Sequence, residues 1–159
     1  MTATRDDGTS ETVELVSRSF LLHDFIHYAV ETTGGLDGGF WGLLASGKTM
    51  DELALNMRPA EGIGMELLGS EAATVEAVVG CFTGLAHDRA TPAESVDAVR
   101  RMIEPQGRPP PAWVTEDFAR AVQERLRRLK GEWKAVPYGG TMELRFPDRG
   151  VRTGEDRVE

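Results

Sequence analysis

SFLLHDFIHYAVE, residues Ser19 to Glu31, is the stretch on which the reading of this chain turns. Wound as an α-helix at about 100° per residue, with Ser19 as its N-cap, it sorts into two unequal faces. Leu21, Leu22, Phe25, Ile26, Tyr28, Ala29 and Val30 cover most of the circumference. His23, Asp24, His27 and Glu31 share the remaining stripe, which carries no Lys or Arg and uses two of the chain's three histidines. A helix so apolar on its other sides belongs inside a helical body. Its polar stripe reads as a metal-binding face.

Outward from this helix the chain alternates between helix signals and stops. Met1 to Ser10 is small and polar and reads as a frayed tail. Glu11 to Ser19 places Val13 and Leu15 opposite Glu14 and Arg18, the alternation of a half-buried strand. Gly34-Gly35 ends the central helix. Phe40, Trp41, Leu43 and Leu44 predict a short apolar helix, and Thr49 to Glu52 a capping box that opens another, ending near Met57. Ser70 opens a long helix to about Ala86, with Val75, Val78, Val79, Phe82 and Leu85 on its core face. Thr91-Pro92-Ala93-Glu94 is a second capping box. Glu104 to Val114 is a proline-stiffened crossover. Thr115 caps a last helix with Phe118, Val122, Leu126, Leu129 and Trp133 in one stripe, stopped by Pro137. Thr141 to Phe146 alternates again and predicts a strand.

A lone strand leaves its backbone groups unpaired, so this one is expected to pair with the N-terminal strand. The expected fold is α+β: a mainly helical body with a small antiparallel sheet from the N- and C-terminal strands. Residues 11–147 form one globular domain, and residues 1–10 and 148–159 are disordered tails.

Composition narrows the function classes. A net charge of −8 excludes the basic footprint that nucleic acid requires. No apolar run approaches the roughly 20 residues of a membrane helix. The single Cys81 rules out an internal disulfide, sits in an apolar run as an inert thiol, and fits a cytoplasmic protein.

Two histidines at i and i+4 stand about 6 Å apart along a helix and aim both rings at one point. HxxxH of this kind is the core of HExxH metalloproteases. Here Asp24 stands in place of the Glu, one methylene shorter. His23, His27 and Asp24 are the candidate metal ligands, and Asp24 and Glu31 the candidate catalytic groups. Glu31 lies about 12 Å along the axis from His23, which suits it to orienting the His27 ring. Further ligands are sought at His87 with Asp88, then Glu66 and Asp37. The expected cofactor is zinc or another divalent transition metal, acting on a small-molecule or peptide substrate. The alternative is a non-catalytic interaction or structural module with the stripe as a solvated face.

Gly42 to Thr49, GLLASGKT, matches the Walker A pattern letter for letter. A phosphate loop needs a strand before it and a long helix after it. GLDGGFW precedes it here, and a glycine C-cap at Gly47 followed by the Thr49 box explains the same residues.

Two resemblances rest on these motifs. From Phe20 to Leu144, with FLLHDFIHYAVE, GFWGLLASGKT and RRLKGEWKAVPYGGTMEL in that order, the chain resembles a family of small bacterial proteins, a likeness that brings no activity with it. Locally, His23-Asp24-Phe25-Ile26-His27 is similar to the HDxxH zinc motif of the coenzyme Q biosynthesis family that acts in oxidative decarboxylation of the quinone head group. In that family a Glu follows the second His by twelve residues, where this sequence has Gly39. The resemblance implies that His23, Asp24 and His27 serve one ion.

Overall fold

The computed structural model describes residues 1–12, 18–56 and 70–147. A short hairpin comes first, β1 (Thr2–Thr4) and β2 (Ser10–Thr12), antiparallel with Thr2 opposite Thr12. Among the described residues six α-helices follow: α1 (Arg18–Gly34), α2 (Phe40–Ala45), α3 (Met50–Asn56), α4 (Ser70–Ala86), α5 (Pro92–Ile103) and α6 (Glu116–Ala135). A 3-10 turn, Glu104–Gln106, extends α5. The class is α+β and mainly helical, as the sequence indicates. No described helix is long and apolar enough to cross a membrane.

The pairing of the sheet differs from expectation. The stretch read as a frayed tail contains β1, and the partner of β2 is that local strand rather than Thr141–Phe146. Asp6-Asp7-Gly8 makes the turn, with Gly8 at φ +85° and the Asp7 carboxylate accepting from the amide and hydroxyl of Thr9. Closing so short a loop costs far less entropy than joining the two ends of the chain. Residues 13–17, the rest of the predicted N-terminal strand, lie outside the described residues, as does the 148–159 tail. Thr141 to Phe146 keeps its alternation, with Met142, Leu144 and Phe146 turned inward, but makes no ladder. It runs as a strap: Met142 and Leu144 lie on the core, and the backbone carbonyl of Arg145 accepts from the Tyr28 hydroxyl at 2.8 Å.

The helix signals hold. Thr91 and Glu94 complete a reciprocal capping box on α5, and the Thr115 hydroxyl accepts from the Phe118 amide at the start of α6. Thr49 and Glu52 bond in the same way ahead of α3. Gly47, at φ +102°, closes α2, and Gly42 is a buried residue within that helix, so the Walker-like run forms a helix stop and not a phosphate cradle. At the other end, α1 already begins at Arg18, which puts Ser19 inside the helix rather than at its cap.

The main core lies where α1, α4, α5 and α6 meet, around Ile26, Val30, Val75, Val79, Phe82, Val99, Val122 and Leu126. Trp133, at the far end of the α6 stripe, is 41 % exposed. A smaller core of Leu44, Met50 and Leu53 sits under α2 and α3, flanked by Phe40 and Trp41. Arg5, paired with Glu11 inside the hairpin, donates to the carbonyls of Leu44 and Lys48, and Glu11 accepts from the Met50 amide, which ties the hairpin to this unit. The packing of α1 on α4 brings Glu76 of α4 to the two histidines of the α1 stripe.

Candidate metal centre

His23 and His27, one turn apart on α1, have ring centroids 4.7 Å apart. Glu76 comes to them from α4. One donor atom from each of the three lies within 4.8 Å of the other two, so the group is positioned to hold a metal ion. The separation is that of groups sharing one small cation, and imidazole with carboxylate is a donor set that zinc and its neighbours accept.

His27 is the buried member, 1 % exposed. Its Nδ1 meets Glu31 Oε1 at 3.1 Å. Its Nε2 lies 3.2 Å from Glu76 Oε1, yet off the line of an N–H bond, and is left without a hydrogen-bond partner. Buried polar atoms rarely stay unpaired, and this one points into the three-residue group. Burial works against charge on the ring, but the contacts to Glu31 and Glu76 outweigh it and raise the His27 pKa to about 9. His23 is half-buried, and that burial, with the charge on His27, pushes its pKa down. A lowered pKa leaves a neutral imidazole, the form that ligates.

Glu31 is fully buried. Burial raises its pKa, against the pull of His27 and of two backbone amides. Those amides belong to Trp41 and Gly42, which donate to Glu31 Oε2 at 2.8 Å and 3.0 Å. Phe40 stacks at a tilt beside the His27 ring, with centroids 5.8 Å apart.

The predicted site residues therefore separate. His23 and His27 come together as the i, i+4 spacing requires. Glu31 contacts His27 from behind, on the nitrogen that faces away from Glu76. Asp24 is not part of the three-residue group. Its Oδ2 is buried and unpartnered, and burial raises its pKa to about 6. The other sought ligands lie elsewhere. His87 is exposed, and Asp88 is held by Arg127 at 3.0 Å and Lys130 at 3.2 Å. Asp37 is exposed, and Glu66 lies outside the described residues. The third donor, Glu76, carries a sequence signal that periodicity passes over: it is the one charged residue between Glu71 and His87. An acid alone in an apolar helix needs a partner.

Comparison with protein-family models, with curated proteins and with solved structures finds no match, so the chemistry of this site rests on its own geometry.

Proposed function

We propose that the protein is a metal-dependent hydrolase, with zinc or a similar divalent ion held by His23, His27 and Glu76 and a small-molecule or peptide substrate. The observation that carries this reading is the buried Nε2 of His27, which no aligned hydrogen bond satisfies, 3.2 Å from the Glu76 carboxylate and beside a second imidazole. Two histidines with one glutamate form a donor set of hydrolytic zinc sites, which keep one coordination position open. A divalent ion in such a site lowers the pKa of water toward neutrality. Asp24 occupies the position next to the first histidine that the base holds in HExxH proteins, and it is the group assigned to take the proton from water. His23 and Glu76, each partly exposed, form the side from which substrate reaches the centre.

A second reading has its own support. His27 lies between two carboxylates, which satisfies its charge with no ion and ties α1 to α4 as a structural network. Elemental analysis of protein purified without a histidine tag separates the two. Near one zinc per chain, lost in His23→Ala/His27→Ala and in Glu76→Ala, supports the metal site. Metal-free protein that does not take up added zinc leaves the ion-pair network. A hydrolase screen on the loaded protein, wild type against Asp24→Asn, then tests the enzyme: activity lost in the variant at unchanged metal content supports it, and no activity in the wild type sinks it.

A further inference from the structure

The first turn of α2, with Gly39 at its N-cap, has no role in the donor set, yet it encloses the group behind His27. Oε2 of Glu31 accepts from two consecutive amides, Trp41 and Gly42, and Oε1 meets His27 Nδ1. A side chain at Gly39 would run into the Cγ, Cδ and Oε1 atoms of Glu31. One at Gly42 would run into the Asp37 backbone. The indole N–H of Trp41 donates to the Asp24 carbonyl at 3.2 Å, pinning the same turn to α1 one helical turn before His27. The turn thus fits around a carboxylate whose two oxygens have separate tasks.

We propose that Glu31 is the positioning residue of the metal centre: clamped by the Gly39–Gly42 turn, it holds the neutral His27 ring in the Nδ1–H tautomer and so makes Nε2 the metal-binding atom. This rests on the metal reading for its purpose, but the tautomer is fixed by hydrogen-bond geometry alone. A neutral imidazole has one N–H to give. The Nδ1 contact with Glu31 has the direction of a hydrogen bond, and the Nε2 contact with Glu76 does not. The proton therefore goes to Nδ1, and the lone pair of Nε2 faces His23 and Glu76. A carboxylate behind a ligating imidazole is a general device for orienting the ring and raising its basicity.

Glu31→Gln tests the assignment with almost no change of shape. The glutamine carbonyl takes over the two amides of Trp41 and Gly42, and its NH2 is then turned toward His27. A donor facing Nδ1 drives the proton to Nε2, the atom that must be bare to ligate. The expected result is a loss of zinc affinity of about 10–100-fold, together with a change of His27 tautomer in long-range proton–nitrogen NMR spectra. Glu76→Gln, which removes a donor, is expected to weaken zinc but leave the tautomer as in the wild type. The wild-type protein itself gives a reading that needs no variant: metal-free, at a pH high enough to leave the ring neutral, it is expected as Nδ1–H. An Nε2–H ring in the wild type, or Glu31→Gln protein with unchanged zinc affinity, overturns the proposal. Wild-type protein that binds no zinc but shows the Nδ1–H ring defeats the metal reading and leaves the positioning role of Glu31 standing.

Discussion

Asp24 holds one buried carboxylate oxygen with no partner, and this gives the metal-free protein a pH dependence of known sign. An acid whose pKa rises on folding, here from 3.8 to about 6, binds its proton more tightly in the native state. It therefore removes stability as pH climbs through that window. Asp24→Asn is expected to raise stability by about 1–2 kcal/mol above pH 6, after solvent screening, with the gain vanishing below about pH 4. Urea melts at several pH values check it, and an equal gain at every pH would show that the effect is not electrostatic. His27 continues the trend at higher pH. Its pKa is raised from 6.5 to about 9, so its contribution is complete below 6.5 and is lost as pH rises through 9. In the same melts, metal-free His27→Gln protein is expected to lack the decline between those values.

At the scale of the element, capping chemistry and helical periodicity are enough to place α3 to α6, because their signals are local. A threonine followed three residues on by a glutamate satisfies orphan amides whatever surrounds it. Thr115→Ala is accordingly expected to cost about 1 kcal/mol in chemical denaturation, the usual penalty of a lost N-cap. Phe82→Ala, which empties a fully buried position on α4, is expected to cost about 3–5 kcal/mol in the same measurement. The two histidines were equally legible, since i, i+4 spacing is itself a local fact. Glu76 was not, because α1 and α4 are apolar around most of their surfaces, and periodicity alone does not say which face of one meets which face of the other. The sheet was misassigned for a related reason. Alternation at Thr141–Phe146 reports one side buried and one exposed, and a strap lying across helices satisfies that pattern as well as a strand does. The Asp7-Gly8 turn between threonine-rich segments was the better hairpin signal.

For the whole molecule, the centre joins α1, which runs through the middle of the main core, to α4, which packs on α1, α5 and α6. A ligand held by side chains on both helices binds the folded chain and finds no assembled site in the unfolded one. Folding and metal binding are then coupled by mass action: free metal at a hundredfold excess over Kd adds about 2.7 kcal/mol. For a domain of this size that corresponds to a rise in Tm of roughly 5–10 °C. Thermal melts of chelator-treated protein, repeated with increasing zinc, are expected to climb with metal concentration in the wild type. They are expected to stay flat in Glu76→Ala, the variant that removes the α4 donor and leaves both α1 imidazoles in place. A Glu76→Ala curve that climbs as steeply as the wild type would place the metal on α1 alone and detach it from the helix pairing on which the proposed function depends.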